Sequence, residues 1–163
     1  MLRSVLIGAL AGARSLTPLA LVSDAARRRA LPADTGAPEL LGRPLVTAGV
    51  AALAAGELAG DKWRRAPDRI ILPGMAARLG TGATAAMALA PRERRVAAAL
   101  LGAGAAVASA YLTFGLRKRA MRRWGQVPTG LVEDALTASA AWGVVNGRKW
   151  RARNDSNVRP SDS

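Results

Sequence analysis

Five apolar runs, separated by short stretches rich in arginine and proline, occupy most of this chain. They cover residues 4–23, 45–61, 70–90, 96–116 and 130–147. A helix needs about 20 mostly apolar residues to cross a bilayer, and these runs reach or approach that length. None of them shows the period-two alternation that is typical of membrane β-strands. The pattern therefore predicts an all-α, polytopic membrane protein with about four to five transmembrane or re-entrant helices.

The composition divides the chain into two parts. Residues 1–147 contain all five runs and are predicted to form one helical transmembrane domain, in which the shorter second and fifth runs suit tilted or re-entrant helices. Residues 148–163 are basic and then rich in Asn, Ser and Asp, and are predicted to form a disordered tail. A signal peptide cleaved after Ala13 is the alternative for the N-terminus. Against it, apolar character resumes after Arg14 and makes a full span.

Alanine and glycine supply much of the apolar content, and the chain has only four Trp, one Tyr and one Phe. Small residues at four-residue spacing let helices approach closely in lipid, where packing drives association. Three such motifs stand out: Gly56 with Gly60, Gly102 with Ala106 and Ala110, and Gly143 with Gly147. They predict close packing within the chain, and a homo-oligomer is the alternative use of the same faces.

The net charge of +13 comes from arginine clusters that lie between the apolar runs. Contact with anionic lipid headgroups explains these clusters better than nucleic acid does, since the runs between them are too apolar for a soluble binding face. The lipid bilayer is thus the predicted partner, and no nucleic acid is expected. If all five runs cross, ten Lys and Arg lie on the N-terminal side and twelve on the other, which slightly favours an external N-terminus and an internal tail.

Two arginines lie in the middle of apolar runs: Arg14 in the first and Arg78 in the third. A cation at that depth is costly unless it faces a partner or a wet cavity. Pro18 lacks an N–H and so frees the carbonyl of Arg14, while Ser15 and Thr17 place hydroxyls beside it. Pro73, Gly74, Gly80 and Gly82 surround Arg78 in a similar way. Helix breaks beside polar residues are typical of transporter substrate sites. Arg14, Ser15, Thr17 and Arg78 are therefore the candidate substrate-binding residues.

Acidic residues near the ends of other runs are the candidate partners for these arginines. Glu57 and Asp61 lie four residues apart, on one face of the second run. Glu133 and Asp134 lie in the predicted first turn of the fifth run. We expect ion pairs of Arg14 with Glu57 and of Arg78 with Asp61 or Asp134, with proton relay as a second role for Glu57, Asp61 and Asp134. The alternative is that these charged residues form ion pairs whose only role is to fix the register between helices.

Several segments resemble the bacterial membrane family called "domain of unknown function 4126". They are Ala11–Ala20, Gly56–Lys62 followed by Pro67 and Arg69, Ala77–Ala83 and Val132–Ala135. The resemblance implies a small multi-helix inner-membrane protein and no particular activity. Trp63, Arg64 and Arg65 depart from the family pattern, in which an aliphatic residue and a proline follow the lysine.

Taken together, these features predict a small bacterial inner-membrane protein that transports or conducts a polar or anionic solute. The alternative is a structural or accessory membrane subunit whose buried charges only fix helix packing, and a third reading is an enzyme acting on lipid headgroups. The absence of Cys and His removes the commonest nucleophiles, general bases and metal ligands. No catalytic residue, metal or cofactor is therefore predicted, and the protein is not expected to be an enzyme.

Overall fold

The computed structural model describes the backbone of residues 1–60 and 72–157 and the side chains of residues 1–60 and 73–147. These residues form six α-helices: α1 (Leu2–Ala13), α2 (Leu16–Arg27), α3 (Pro44–Gly60), α4 (Leu72–Ala88), α5 (Arg95–Trp124) and α6 (Gln126–Asn157). Short 3-10 turns at Glu39–Gly42 and Arg92–Arg94 precede α3 and α5. The all-α class is confirmed for the described part of the chain.

The first apolar run is two helices rather than one, which corrects the prediction of a continuous span. Helix α1 ends at Ala13, and Arg14 has an extended backbone with φ −136° and ψ 109°. Helix α2 begins after Ser15. Pro18 therefore falls in the first turn of α2, where no helical carbonyl needs its missing N–H. The helix break therefore lies at residues 14 and 15, before the proline, and the proline itself does not interrupt a helix.

The direction of each helix follows from its contacts with α1. Gly8 packs against Gly102 and Gly12 against Ala106, so α1 and α5 are parallel. Arg3 donates to the carbonyls of Val144 and Val145, whereas Arg14 pairs with a residue ten positions earlier in α6, so α1 and α6 are antiparallel. We call the end of the bundle where α1 begins the near end, and the opposite end the far end.

Helix α2 turns back toward the near end. Gly82 of α4 lies beside Ala106 and Ala11, and Ala86 lies beside Gly102, so α4 ends at the near end. The segment that follows α2 is bonded to this same end of α4: Thr35 Oγ1 donates to Ala88 O at 2.6 Å, and Gly36 N–H donates to Ala90 O at 2.8 Å. Helices α1 and α2 thus form a helical hairpin with Arg14 and Ser15 at its tip.

The remaining four helices alternate in direction beside this hairpin. Ser23 bonds to Thr47 and Ser15 bonds to Glu57, so α3 runs antiparallel to α2 and toward the far end. Helix α4 runs back toward the near end, α5 runs toward the far end, and α6 runs back toward the near end. The predicted arrangement with the two ends of the domain on opposite sides is wrong, since α1 begins and α6 ends at the near end.

Glycines bring α1, α4 and α5 into backbone contact. A Cβ built on Gly8 would lie 2.6 Å from Gly102 Cα, and one built on Gly82 would lie 2.8 Å from Ala106 Cβ. The predicted packing role of the Gly102 motif is confirmed. The motifs at Gly56 with Gly60 and at Gly143 with Gly147 have no atom within 4 Å of such a Cβ among the described residues, so their predicted packing role within the chain is wrong.

Large apolar side chains cover the outside of the bundle. Exposed ones are Leu45 and Leu53 on α3, Val96, Leu100, Leu101, Tyr111, Leu112 and Leu116 on α5, and Leu131, Val132, Leu136 and Trp142 on α6. In the described chain, one helical stretch, Arg92–Trp124, is long and apolar enough to cross a membrane, and α1 and α3 are shorter apolar helices.

The fifth apolar run lies within a longer helix. It was predicted to cover residues 130–147, whereas α6 extends from Gln126 to Asn157. The described helical backbone continues past residue 148, and the predicted disorder of the tail stays a prediction. Residues 158–163 lie outside the described residues.

Candidate functional site at the tip of the hairpin

Arg14 is the largest fully buried side chain of the described chain, with no exposed surface. Its Nη2 forms an ion pair with Asp134 and lies 3.9 Å from Glu133 Oε2. Glu133 Oε2 also accepts a 2.6 Å hydrogen bond from Arg117 Nη1. The predicted pairing of Arg14 with Glu57 is thus wrong, because α6 and not α3 brings the ion-pair partner to the tip.

The two acidic residues on α6 face the bundle because of their place on the helix. Helix α6 begins at Gln126, so Glu133 and Asp134 lie beyond its first turn, contrary to prediction. Their side chains are only 16% and 14% exposed, whereas Leu131 and Leu136 on the other side of α6 are about half exposed or more. One helix therefore presents carboxylates inward and apolar side chains outward.

Glu57 caps the start of α2. Its Oε1 accepts hydrogen bonds from Ser15 N–H at 3.0 Å and from the Ser15 hydroxyl at 3.1 Å, and its Oε2 accepts one from Leu16 N–H at 2.9 Å. The first N–H groups of a helix have no partner within the helix and carry partial positive charge. The carboxylate from α3 satisfies two of them, because the break at Arg14 leaves these donors open.

Arg78 makes the complementary contact at the end of α1. Its Nε donates to Gly12 O and its Nη1 donates to Gly74 O, both at 2.9 Å. Gly12 O is among the last carbonyls of α1, where the helix carries partial negative charge. The expected pairing with Asp61 lies outside the described residues, and the ion pair of Asp134 is made with Arg14 instead. The predicted break around Arg78 is wrong, since α4 continues through Gly80 and Gly82.

The electrostatic design of the tip follows from these contacts. A cation faces the end of α1 and an anion faces the start of α2, so each helix dipole is compensated where the chain breaks. Three arginines (Arg14, Arg78 and Arg117) and three carboxylates (Glu57, Glu133 and Asp134) contribute to this region. Among the described residues these charges balance, which favours keeping them away from water. Arg117 was missed in the sequence because it directly follows the fourth apolar run and looks like a flanking charge.

The hydroxyls of Ser15 and Thr17, both predicted to bind substrate, lie in different surroundings. Ser15 is 6% exposed and its hydroxyl donates to Glu57, as described above. The Thr17 hydroxyl is buried and has no hydrogen-bond partner among the described residues. Thr17 instead lines an open groove of about 600 Å³ between α2, α3 and α6, whose walls include Ala54, Leu58 and Trp142. The structure therefore brings Arg14, Ser15, Arg78, Glu57 and Asp134 to the tip, and places Thr17 at its side.

The space at the tip is small. A cavity of about 10 Å³ is lined by Arg78, Arg117, Glu133, Phe114 and small residues of α1. That volume holds about one water molecule. The described residues contain no group of three or more carboxylate, His or Cys ligands placed to hold a metal ion. Within the described part of the chain, the tip is a closed network of charges.

Comparisons with protein families, with curated proteins and with solved structures find no match to this chain. The resemblance to the bacterial family described above therefore stays a prediction.

Proposed function

We propose that this chain is a multi-pass protein of the bacterial inner membrane, in which α3 to α6 cross the bilayer and the α1–α2 hairpin enters from the near end. One observation carries the proposal: large apolar side chains cover the outside of the bundle, while charged side chains are buried inside it. Its largest fully buried side chain is an arginine, and leucines cover its outside. Water would strongly disfavour such an exposed apolar surface, whereas lipid favours it.

The helix lengths are compatible with this arrangement. Helices α3 and α4 have 17 residues each, or about 26 Å at 1.5 Å per residue, which approaches the bilayer core of about 30 Å. Helix α5 has no charge over residues 96–116. Helices α4 and α6 carry charges at Arg78, Glu133 and Asp134, but these face the interior and so lower the hydropathy without meeting lipid.

Labelling of introduced cysteines tests this topology, because the chain has no cysteine of its own. Leu2→Cys lies at the start of α1, Arg28→Cys follows α2, and Gly125→Cys joins α5 to α6. We expect a membrane-impermeant thiol reagent to label the first two from one side of the membrane and the third from the other side. Labelling of Leu2→Cys and Arg28→Cys from opposite sides would contradict the hairpin. Release of the protein by alkaline carbonate would contradict membrane integration.

We further propose that the tip binds a small anionic or polar solute and passes it across the membrane. The supporting observation is the Glu57 carboxylate, an anionic group that Ser15 and Leu16 hold with three donors at the start of α2. A solute carboxylate or a similar anion presents the same oxygens. Arg14 and Arg78 supply positive charge nearby, and Thr17 lies between the tip and the groove that its side chain lines.

Helix α3 is the element that we expect to move. Only Thr47 and Ala54 of its 17 residues are buried, and it packs mainly against α2. A shift of α3 away from α2 withdraws the Glu57 carboxylate. The N–H groups of Ser15 and Leu16 and the Ser15 hydroxyl are then free to bind a solute. Glu57 then acts as an internal competitor, which keeps the site closed when no solute is bound.

Flux measurements in proteoliposomes test this role. Glu57→Ala removes the competitor and is expected to raise the flux of small anions, whereas Arg14→Gln is expected to abolish it. Glu39→Ala is the matched control, because this acidic residue lies in the exposed turn before α3. Absence of flux in the wild type and in Glu57→Ala, with both proteins folded, would refute the transport proposal.

A structural or accessory subunit is the second candidate, and the cavity of about 10 Å³ favours it. In that role the charges only hold the hairpin in register. The double exchange Arg14→Asp with Asp134→Arg then restores the stability that each single change removes, and no variant conducts. We propose no enzymatic activity for either role, because the chain has neither Cys nor His, the commonest nucleophile and general base.

A further inference from the structure

The open groove between α2, α3 and α6 continues from the charged tip toward the near end of the bundle. On α6, Ala138 lines the groove four residues after Asp134, and on α3, Ala54 lines it three residues before Glu57. Residues three or four apart lie on one face of a helix. Two helices therefore pass within one turn from a carboxylate at the tip to the apolar wall of the groove.

The lining of the groove is suited to an alkyl chain. Its volume is about 600 Å³, and most of its walls are small or aliphatic side chains: Ala20, Leu21, Ala51, Ala54, Ala55, Leu58 and Ala138. Ala51 and Leu58 lie seven residues apart, which is about 10 Å along α3 at 1.5 Å per residue. Trp142 lies eight residues after Asp134 on α6, toward the near end, and so marks the end of the groove away from the tip.

The Thr17 hydroxyl lies where the groove meets the tip. Thr17 follows Ser15 by two residues and lines the groove. Its hydroxyl oxygen is buried and has no hydrogen-bond partner among the described residues. A buried hydroxyl without a partner is costly, so a ligand with a polar head at this junction relieves that cost.

The charge at the tip selects an anionic head. Glu57 holds the three donors of Ser15 and Leu16 with both of its carboxylate oxygens. When Glu57 is withdrawn, the described residues of the tip keep three arginines against the two carboxylates of α6. A monoanion with two oxygens then restores the balance of charge and accepts the same three hydrogen bonds.

We infer that the solute of this site is an amphiphilic carboxylate with a medium-length alkyl chain. Its carboxylate takes the place of Glu57 on Ser15 and Leu16, and its chain lies in the groove with its end toward Trp142. A chain of about eight carbons spans about 9 Å, from C–C bonds of about 1.52 Å, and so matches the length of the groove. The inference rests on the proposed function, because it names the class of solute for that same site.

The depth of the tip distinguishes this solute from a membrane phospholipid. Gly12 of α1 packs against Ala110 of α5, and Arg117, the first charge after the apolar run, lies seven residues further along α5. The tip thus lies about 10 Å of helix below the charged end of that run. A phosphate held at headgroup depth does not reach the donors of Ser15 and Leu16, whereas a free carboxylate does.

Fluorescence of Trp142 tests the inference in purified protein without any transport step. The remaining tryptophans are first replaced with phenylalanine: Trp63, Trp124 and Trp150. Octanoate that carries bromine, a contact quencher of tryptophan, is then titrated in detergent. We expect 8-bromooctanoate, with bromine at the chain end, to quench Trp142 more strongly than 2-bromooctanoate, with bromine beside the carboxylate. We also expect it to bind more tightly than the uncharged 8-bromooctanol.

Two substitutions separate the head from the chain. Glu57→Ala removes the internal competitor and is expected to tighten binding of 8-bromooctanoate about tenfold, which equals about 1.4 kcal/mol. Ala55→Phe fills the groove at an exposed lining position and is expected to weaken binding about tenfold. Ala52→Phe is the matched control, because Ala52 is exposed on the same helix and does not line the groove.

Equal quenching by the two bromooctanoates, or an equal loss in Ala55→Phe and Ala52→Phe, would overturn the inference. So would quenching by brominated phosphatidylcholine that octanoate does not displace, or shielding of Trp142 that grows with the dimer fraction. These results would assign the groove to bilayer lipid or to a second copy of the chain. Flux of acetate through a protein that does not bind octanoate would overturn the inference and leave the transport proposal standing. Binding of octanoate without flux of any anion would support the inference and refute transport.

Discussion

Asp134→Asn removes the charge that pairs with Arg14 while it keeps the shape of the side chain. Arg14 has no exposed surface and Asp134 is 14% exposed, so water cannot replace the lost partner. Breaking a buried ion pair in this way destabilises a protein by about 3–5 kcal/mol. Glu133 remains 3.9 Å from Arg14 and compensates in part, although Arg117 also uses it. We therefore expect a loss near the lower limit, about 3 kcal/mol.

Asp24→Asn is the matched control for this substitution. Asp24 pairs with Arg27 and Arg28 on the surface of α2, where the arginine side chains are about half exposed. Exposed pairs on a helix contribute about 0.3–0.5 kcal/mol each. The control should therefore lose about 1 kcal/mol or less. The two variants remove the same charge, so the difference of about 2 kcal/mol reports burial alone.

Unfolding of the purified protein in mixed micelles, followed by circular dichroism, measures both variants. A third variant checks the reasoning: Arg14→Met combined with Asp134→Leu replaces the pair with apolar side chains and should recover most of the stability. If Asp134→Asn and Asp24→Asn differ by less than about 1 kcal/mol, the Arg14 side chain is not held in a dry interior. The argument for a closed tip would then be refuted.

Three further substitutions probe other parts of the fold in the same unfolding assay. Gly8→Ala should prevent tight packing of α1 on α5, because the new Cβ would lie 2.6 Å from the Cα of Gly102, whereas Gly104→Ala meets open space and should be neutral or stabilise by up to about 1 kcal/mol. Equal effects would contradict the packing. Arg78→Lys replaces a guanidinium that donates to two carbonyls from separate nitrogens with a single ammonium group. It should lower the free energy of unfolding by about 1.5–3 kcal/mol. Glu57→Gln should lower the free energy of unfolding by about 1 kcal/mol, since the group that caps α2 loses its charge. An unchanged unfolding midpoint would contradict this capping role.

Helix positions were largely readable from the sequence. The run at 96–116 lies within α5 and the run at 45–61 matches α3, because long stretches rich in alanine, leucine and valine have few alternatives to a helix. The reversal at Arg14 was not readable. A count of apolar residues gives the length of a segment, but one long helix and a hairpin of two short ones have the same length.

Close packing shows a similar limit. The motif at Gly56 and Gly60 and the motif at Gly102 and Ala106 have the same spacing, yet only the second is buried within the bundle. Gly8 and Gly12 share that spacing and were not singled out. Spacing places small residues on one face of a helix, but the neighbouring helix decides whether that face is covered.

The sequence by itself determined that this chain is helical, that its apolar surface is large, and that Arg14 and Arg78 must lie among partners. These properties depend on residue type and local spacing, which the chain carries without reference to its fold. Only the tertiary structure decided which partners they have. Asp134 reaches Arg14 across 120 positions of sequence because α1 and α6 are antiparallel, and Glu57 meets Ser15 because α2 turns back along α3. Such pairings depend on helix direction, which is set by packing over the whole bundle.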